Sequence, residues 1–390
     1  MNVLIVGGTG VISYAVVTEA LKCGMNVTCI NRGKNKTQKL NSKVKVIIAD
    51  YRNYNQIKAL LIDKTYDVVI DVLCFKKEDI IYSVNLFKDH CKQYIFFSSC
   101  AVYNKGKGDY ECTEGSQLVN PLWSYSVRKV ECENELKKIA KNTNLVYTIV
   151  RPAVTYGNTR IPYGITPPYG YHGTIIQRIL NRKPIILWDN GEAYSTITRV
   201  EDFAIGLVGL FGNTKAYNQE FHIVGNERYR WIDVINCLGN ILGVEPIFFN
   251  LTKETLAKEM PSRKGEILGG RGISQLLDNS KLKTCVPNFK TTIPLEKGLK
   301  MTVDYYMQNS YLLGIDYSFE GEWDRIIKKH AKVQKIEYDL KFVDYFKENK
   351  ISNYCNYYLS FHNRNKLIKY YRKLKKNNCE HSKIKYCGRK

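Results

Sequence analysis

Short apolar runs recur along the first 150 residues, separated by stretches whose apolar residues have helical spacing. The runs occupy residues 2–6, 26–30, 44–49, 66–72, 93–97 and 145–150. Runs of this length without polar alternation are typical of strands that are buried on both faces of a parallel sheet. The alternation of strands and helices predicts a doubly wound α/β fold, in which functional groups lie at the carboxyl ends of the strands.

The first strand runs directly into a glycine-rich turn that begins at Gly7, and a helix follows the turn. This order is typical of the Rossmann dinucleotide-binding fold, in which the helix N-terminus faces a pyrophosphate. Gly7 permits the tight turn, and Gly10 lets the backbone approach the phosphates. Val11 and Ile12 open the helix, so we expect them beside the cofactor as well.

The second strand ends in Asn31 and Arg32, and Lys34 lies two residues further on. An acidic residue at this strand end usually binds the ribose 2′-hydroxyl of NAD, whereas a cation suits the 2′-phosphate of NADP. The sequence therefore favours NADP slightly over NAD. The alternative interpretation is a solvated basic turn, since lysine is abundant throughout the chain.

Tyr125 and Lys129 lie four residues apart and therefore share one face of a predicted helix. A lysine ammonium beside a phenol lowers the pKa of the tyrosine, which makes Tyr125 a candidate acid/base. Ser99 comes soon after the fifth strand and can orient a substrate oxygen by a hydrogen bond. Oxidation of a secondary alcohol needs such a base and such a donor, while a nicotinamide carries the hydride.

These segments resemble those of the extended short-chain dehydrogenases/reductases, in the group of NAD(P)-dependent nucleotide-sugar epimerases and dehydratases. The matching segments occur in the family's order and are Gly7-Gly8-Thr9-Gly10-x-x-Ser13, Asp50-Tyr51-Arg52, Ser98-Ser99-x-x-Val102-Tyr103, Tyr125-x-x-x-Lys129 with Glu133, Arg151-Pro152-x-x-x-Tyr156-Gly157 and Val200-Glu201-Asp202. The resemblance implies that Ser99, Tyr125 and Lys129 are the catalytic triad and that Lys129 also holds the nicotinamide ribose. It also implies that the backbone near Pro152 faces the nicotinamide.

Further cofactor contacts are expected after two more strands. Asp50 and Tyr51 follow the third strand, where Asp50 can touch the adenine. Val72 and Leu73 lie at the end of the fourth strand, which opens toward the same crevice.

Two departures from the family's pattern bear on the reaction and the substrate. Cys100 and Ala101 stand where the 4,6-dehydratases place Asp-Glu, so dehydration is disfavoured. Ser195 stands where nucleotide-sugar enzymes of this group often place an arginine for the diphosphate. Four other arginines can take that role, and the sequence does not choose among them: Arg160, Arg178, Arg199 and Arg271.

The departure at Ser195 and the basic turn after the second strand are similar to a divergent branch of the family. That branch includes the chloroplast stem-loop RNA-binding proteins, and some of its members are linked to RNA rather than to a sugar. Many RNA-linked members lack the intact tyrosine–lysine pair, whereas this chain keeps Ser99, Tyr125 and Lys129. We therefore expect an active oxidoreductase.

The expected reaction is epimerisation of a nucleotide-activated sugar through a keto intermediate. Reduction of a keto-sugar by NADPH is the first alternative, and an RNA- or anionic-surface-binding protein on the same fold is the alternative from another class. The expected partners are the nucleotide sugar and, as an option, a second copy of the chain in a homodimer.

The formal net charge of +22 is unevenly distributed, and half of it falls in residues 331–390. That segment holds 16 Lys+Arg and 5 Asp+Glu, with aromatic and aliphatic residues between the cations. The pattern favours a solvated helix whose aromatic residues pack on the main domain, because the segment contains no recognised nucleic-acid-binding module. A basic amphipathic helix for nucleic acid or an anionic membrane surface is the alternative.

The length of 390 residues allows two lobes and an appendage. We expect a Rossmann cofactor lobe at 1–155 with returning elements near 200–225, a smaller substrate lobe at 156–310 and a basic helical extension at 311–390. The loop at 156–172 is rich in Gly, Pro and Tyr, which favours a cover over the substrate.

Cysteine usage and hydropathy predict a cytoplasmic protein without a transmembrane segment. The twelve cysteines form no Cys-x-x-Cys pair, and no apolar run reaches the ~18 residues that span a bilayer. An apolar strand that starts at residue 2 leaves no room for a signal peptide. No metal site is expected, because Cys379, His381 and Cys387 in a basic tail make a poor zinc site.

Overall fold

The computed structural model describes residues 1–33, 38–103, 111–167, 171–309 and 314–334. The described residues fall into two compact units. The first unit contains the described residues of 1–165, 187–245 and 250–309, and the second contains 166–167, 171–186, 246–249 and 314–334. This grouping differs from the lobes expected above, which stay a prediction because they are defined by what they bind. The basic segment beyond residue 334 lies outside the described residues, so its predicted role also stays a prediction.

The described residues form fourteen strands. Their bounds are β1 Asn2–Val6, β2 Asn26–Asn31, β3 Lys45–Ile48, β4 Tyr66–Asp71, β5 Cys91–Phe97, β6 Glu111–Cys112, β7 Tyr147–Val150, β8 Val154–Tyr156, β9 Ile185–Trp188, β10 Tyr194–Arg199, β11 Gln219–Phe221, β12 Arg228–Arg230, β13 Phe248–Leu251 and β14 Leu276–Leu277. The six apolar runs of the sequence become β1 to β5 and β7, as predicted.

The same residues form twelve α-helices. Their bounds are α1 Val11–Lys22, α2 Tyr54–Leu61, α3 Lys77–Phe87, α4 Ser124–Lys141, α5 Gly173–Leu180, α6 Val200–Val208, α7 Trp231–Leu242, α8 Lys253–Glu259, α9 Lys264–Glu266, α10 Ser280–Cys285, α11 Leu295–Gln308 and α12 Tyr317–Gln334. A π-helical turn, Ile267–Arg271, follows α9. No helix within these described stretches is long and apolar enough to cross a membrane.

Seven parallel strands form the central sheet in the order β11-β7-β5-β4-β1-β2-β3. The chain builds outward from β1 through β2 and β3, then crosses to β4 on the other side of β1. The carboxyl ends of β1 and β4 therefore form the topological switch point, where ligands bind in open α/β sheets. The predicted doubly wound Rossmann fold is confirmed.

The two faces of β1 belong to two different hydrophobic cores. Val3 and Ile5 join a core that includes residues of α1 and α6, whereas Leu4 and Val6 join a core with residues of α2, α3 and α4. Successive side chains of a strand point to opposite faces, so a strand that is covered by helices on both sides is apolar at every position. This is the physical reason for the uninterrupted apolar run at the start of the chain.

The second unit contains a buried cluster of four charges. The Arg178 Nη1 lies 2.7 Å from a Glu320 carboxylate oxygen and 2.9 Å from one of Asp324, while the Lys183 Nζ lies 2.5 and 2.6 Å from the same two carboxylates. Buried charges persist only when they are paired, and removal of one partner is strongly destabilising. Arg178 therefore serves the fold rather than a substrate, which removes it from the four arginines considered above.

Candidate active site

Ser99 and Tyr125 meet at the carboxyl edge of the central sheet. Ser99 follows β5 and caps a short 3-10 turn, because its Oγ accepts a hydrogen bond of 3.2 Å from the backbone N–H of Ala101. Tyr125 is the second residue of α4, and the Ser99 side chain lies close enough to its phenol to lower the pKa of that phenol. Both side chains are half-buried, so a substrate oxygen can reach the pair from solvent.

Lys129 lies one helical turn beyond Tyr125 and is buried. Its Nζ donates hydrogen bonds of 2.6 Å to the carbonyl of Phe97 and to the carbonyl of Cys74. These carbonyls belong to the ends of β5 and of the segment after β4, so the ammonium joins two neighbouring strand ends. The Nζ also lies 5.9 Å from the centre of the Tyr125 ring and 4.8 Å from that of Phe75.

The pKa of Tyr125 differs from the expectation drawn from its spacing to Lys129. Burial raises the pKa of the phenol, and this outweighs the Ser99 hydrogen bond and the charges of Arg271 and Arg160, which lower it. The predicted lowering of the Tyr125 pKa is therefore wrong in direction. Burial likewise lowers the pKa of the Lys129 ammonium. The sequence spacing correctly brings the two side chains together, but it carries no information on how strongly burial penalises the charged forms.

Helix α4 is fixed to the sheet by two buried contacts. Ser126 Oγ donates a 2.6 Å hydrogen bond to the carbonyl of Ala101, beside Ser99. Glu133 accepts two hydrogen bonds from Arg151, one of 2.9 Å from Nε and one of 2.6 Å from Nη2. Arg151 follows β7, so the helix that carries Tyr125 is tied to two strand ends.

A cleft of about 500 Å³ opens at the switch point between β1 and β4. This volume lies in the range of ~300–1,000 Å³ that is usual for small-molecule and cofactor sites. Seven of the residues predicted to bind the cofactor line the cleft: Gly7, Gly10, Asn31, Arg32, Tyr51, Val72 and Leu73. The sequence prediction thus identifies a single concave surface rather than scattered positions.

The cleft has features that fit the adenosine and diphosphate parts of a dinucleotide. Gly7 has a φ of +85°, and a Cβ there would lie 3.1 Å from the Val72 side chain, so the turn needs glycine. The carboxamide of Asn31 is buried and has no hydrogen-bond partner among the described residues. It stands at the end of β2, where the adenosine ribose is bound in this fold. An unpaired buried amide is costly unless a ligand satisfies it, so the residues present fit the cofactor.

The remaining predicted cofactor residues have different surroundings. Val11 and Ile12 are half-buried and pack against the core on the α1 side of the sheet. Asp50 is exposed, and its carboxylate accepts a 3.1 Å hydrogen bond from the backbone N–H of Arg52. The Pro152 carbonyl accepts a 3.0 Å hydrogen bond from the backbone N–H of Cys100, next to Ser99. A role for these residues in cofactor binding stays a prediction.

A family model for the NAD dependent epimerase/dehydratase family matches residues 3–223. The chain belongs to this family. It shares 28% identity over 244 residues with the chloroplast stem-loop binding protein of 41 kDa b of Arabidopsis thaliana, an alignment that covers 60% of each chain. It shares 25% identity over 265 residues with the divinyl chlorophyllide a 8-vinyl-reductase of Cucumis sativus, covering 64% of this chain and 59% of that relative. The chain thus matches less than two thirds of the length of either relative.

Solved structures of the epimerase/dehydratase type share the fold. A UDP-glucuronic acid 4-epimerase from Bacillus cereus, in complex with UDP-glucuronic acid and NAD, superposes with a TM-score of 0.63 at 22% identity, covering 79% of this chain and all of that one. A UDP-glucose 4-epimerase with UDP-glucose from Thermotoga maritima gives a TM-score of 0.63 at 20% identity, covering 80% of this chain and all of that one. At these identities the likeness concerns the fold.

Cys100, which follows Ser99, is hydrogen-bonded to a residue that the sequence did not suggest. Cys100 Sγ donates a 3.2 Å hydrogen bond to Oε1 of Gln275, and Gln275 Nε2 donates a 2.6 Å hydrogen bond to the Cys100 carbonyl. Gln275 is 175 residues away along the chain. Only the three-dimensional structure reveals this pairing, because no local pattern marks a single glutamine.

Two of the four arginines considered for the diphosphate lie near Tyr125. Arg199 is buried and is committed to the fold, because it binds Glu201, the carbonyl of Gly298 and other nearby oxygens. Arg160 and Arg271 are close enough to Tyr125 for their charges to lower its pKa. A role for either arginine in substrate binding stays a prediction.

Proposed function

We propose that the protein is an NAD(P)-dependent enzyme that epimerises a nucleotide-activated sugar through a keto intermediate. The observation that carries the proposal is the proximity of Ser99 and Tyr125 to each other and to the buried Lys129, whose Nζ lies 5.9 Å from the centre of the Tyr125 ring. This group stands at the carboxyl edge of the sheet, on the same edge as the cleft that is lined by Gly7 and Asn31.

In the proposed mechanism, Tyr125 accepts the proton of a sugar hydroxyl while Ser99 donates a hydrogen bond to the same oxygen. A bound nicotinamide would supply reversible hydride transfer at the carbon that bears this hydroxyl. Tyr125 would give the proton back to the oxygen after the keto-sugar has presented its opposite face, which would yield the epimer. Proton and hydride are both restored, so the reaction needs no external oxidant or reductant.

Lys129 would position the cofactor. An ammonium has three N–H donors, and two of those of Lys129 are used by the carbonyls of Cys74 and Phe97. The third donor is available for a ribose hydroxyl.

Dehydration is not proposed, because the residues that follow Ser99 lack an acid/base pair. Cys100 and Ala101 are buried, and the Cys100 thiol is hydrogen-bonded to a neutral carboxamide. Elimination of water needs a group that removes one proton and another that protonates the leaving hydroxyl. An alanine and a buried thiol do not supply them.

A nucleotide sugar is supported as the substrate by what the structural neighbours bind. The Bacillus cereus enzyme is described with UDP-glucuronic acid and NAD, and the Thermotoga maritima enzyme with UDP-glucose. Between the two forms of the cofactor, the cation at Arg32 in the cleft favours NADP for this chain.

The test is turnover of UDP-glucose and UDP-glucuronic acid by the purified full chain with NAD or NADP added, followed by chromatographic separation of the epimers. We expect an epimer to accumulate without net change in cofactor oxidation state. Tyr125→Phe should lower kcat by about 10²–10⁴-fold while cofactor binding persists. Absence of an epimer from both sugars, or full activity of Tyr125→Phe, would contradict the proposal.

Two alternatives each have one supporting observation. The similarity to a vinyl-reductase favours net reduction, which the same assay detects as stoichiometric loss of NADPH absorbance. The similarity to a stem-loop binding protein favours RNA binding, which a filter-binding titration measures. RNA binding that survives deletion of residues 331–390, together with no turnover in any assay, would support the second alternative.

A further inference from the structure

Asp71, the last residue of β4, is a buried carboxylate to which four neighbouring groups donate hydrogen bonds. The residue is 0% exposed. Its Oδ1 accepts a 2.7 Å hydrogen bond from the backbone N–H of Leu73. Its Oδ2 accepts hydrogen bonds from the Tyr51 hydroxyl, from Ser83 Oγ at 2.6 Å and from Cys74 Sγ at 3.3 Å. An ionised carboxylate can only accept hydrogen bonds, so these surroundings suit a negative charge.

The donors that surround Asp71 keep their protons. Burial and, after it, the charge of Asp71 raise the pKa of the Tyr51 phenol and of the Cys74 thiol. Ser83 gives its single proton to Asp71, so the Tyr94 hydroxyl, 2.7 Å from Ser83 Oγ, donates to Ser83 in turn. The polar side chains at this end of β4 are therefore oriented toward one negative charge.

Asp71 and Lys129 are buried and opposite in charge, and neither forms an ion pair among the described residues. Lys129 is 2% exposed, and its Nζ donates to two neutral backbone carbonyls. Glu133, one turn further along α4, is already paired with Arg151 at 2.6 Å. A buried charge without a countercharge is costly, so each of the two charges is stabilised by the presence of the other.

A single residue contacts both charges. Cys74 donates from its Sγ to Asp71, and its carbonyl accepts the 2.6 Å hydrogen bond from the Lys129 Nζ. Leu73, which lies between Asp71 and Cys74 in the chain, lines the cleft at the switch point, and so does Tyr51. The Asp71 carboxylate therefore contacts the wall of the cleft and also holds the residue that anchors Lys129.

We propose that Asp71 is a positioning residue for Lys129. Through Cys74 it fixes the carbonyl that receives the Lys129 ammonium, and its negative charge balances that ammonium inside the protein. Asp71 acts through the lysine and does not itself contact the substrate. This inference rests on the proposed function, because it names the group that supports the ribose contact proposed for Lys129.

Lys129 needs its full charge for that contact. Two N–H donors of the ammonium bind the carbonyls of Cys74 and Phe97, which leaves the third for the ribose. A neutral amine has only two N–H groups, so loss of the proton removes the donor that the ribose needs. Burial lowers the pKa of Lys129, whereas the charge of Asp71 raises it.

Asp71 is the carboxylate that remains to balance Lys129 once the other groups around the ammonium are considered. The titratable groups that face Lys129 are Asp71, Cys74, Tyr125, Cys132 and Glu133. Burial raises the pKa of the Cys74 thiol, that of Cys132 to about 12, and that of the Tyr125 phenol, so these groups are neutral at neutral pH. The charge of Glu133 is matched by Arg151.

The experiment measures the dissociation constant of NADH for the full chain by fluorescence titration, from neutral to alkaline pH. Asp71→Asn removes the charge and keeps the shape of the side chain. Asp67→Asn, on the same strand, is the matched control, because Asp67 pairs at 2.9 Å with Lys92, whose side chain is 76% exposed. Lys129→Met identifies the part of the pH dependence that arises from Lys129.

In the wild type, the affinity for NADH should fall at alkaline pH as Lys129 loses its proton, and Lys129→Met should lack this fall. In Asp71→Asn the fall should begin about one pH unit lower, which raises the dissociation constant about tenfold at a pH within the fall. Asp67→Asn should follow the wild type. The same pH dependence in Asp71→Asn as in the wild type, or an equal shift in Asp67→Asn, would overturn the inference.

A second measurement needs no cofactor. The urea midpoints of Asp71→Asn, Lys129→Met and the double variant form a double-mutant cycle. The double variant should lose less stability than the sum of the two single losses, because it leaves no unmatched charge buried. If Asp71→Asn does not fold, the double variant should recover folding. Additive losses, or no recovery, would refute the pairing of the two charges.

Turnover separates this inference from the proposed function. Epimerisation by the wild type, with an unshifted pH dependence in Asp71→Asn and additive losses of stability, would overturn the role of Asp71 and leave the proposed function intact. A shifted pH dependence and coupled stabilities without any turnover would support the role of Asp71 and contradict the proposed function.

Discussion

We expect the position of α4, the helix that carries Tyr125 and Lys129, to depend most on Glu133. It lies four residues after Lys129 in α4, and its carboxylate is paired with Arg151 at 2.6 Å. The two side chains are 0% and 1% exposed, respectively. Because solvent does not reach the pair, neither charge can be compensated by water if its partner is removed.

The cost of breaking this pair follows from its burial. In Glu133→Gln, Arg151 keeps only neutral acceptors: the new carboxamide oxygen, the Tyr103 hydroxyl at 2.7 Å and the Glu114 carbonyl at 2.9 Å. Removal of one partner from a buried ion pair costs about 3–5 kcal/mol. We therefore expect the free energy of unfolding to fall by that amount.

Glu135→Gln, on the same helix, is the matched control. Glu135 lies 3.1 Å from the Nζ of Lys77, whose side chain is 48% exposed, so the pair is open to water. Such pairs contribute about 0–1 kcal/mol. Urea titrations of the two variants, followed by fluorescence, give the comparison. Similar losses of stability in both variants would refute the argument that burial of the Glu133–Arg151 pair anchors α4.

Two further predictions concern the cofactor and the pH dependence of stability. Arg32→Asp should weaken NADP binding more than NAD binding in fluorescence titrations, because it places an anion opposite the 2′-phosphate; equal losses would speak against the assignment. Burial lowers the pKa of His222, so the unfolded chain binds a proton at a higher pH than the folded chain. Stability should therefore fall as the pH drops below about 6.5, the unfolded value. His222→Asn should flatten this dependence of the urea midpoint, and an unchanged slope would exclude His222 as its source.

The parts of the fold that the sequence predicts are those with local causes. The strand β1 is apolar from Val3 to Val6 because helices cover both of its faces, and the turn at Gly7 needs a positive φ that favours glycine. Both signals depend on a few consecutive residues. The pairing of Tyr125 and Lys129 is equally local, since one helical turn separates them.

The parts that the sequence does not predict arise from contacts between distant segments. Gln275 is hydrogen-bonded to Cys100 although 175 residues separate the two along the chain. No sequence pattern around Gln275 indicates this contact. The predicted direction of the Tyr125 pKa shift is wrong for a related reason. The pKa of the phenol depends on how much protein surrounds it. Spacing along a helix reports which groups are neighbours, but the penalty of burial is a property of the assembled site.

The same distinction separates the proposed reaction from its substrate. Ser99, Tyr125 and Lys129 lie on one strand end and one helix, so a local pattern carries the proposed hydride chemistry. Arg160 follows β8 and Arg271 ends a π-helical turn, and neither segment has a regular period. A local pattern therefore cannot show whether either arginine binds the substrate. Substitutions of Ser99, Tyr125 or Lys129 are expected to stop the proposed reaction for every sugar nucleotide.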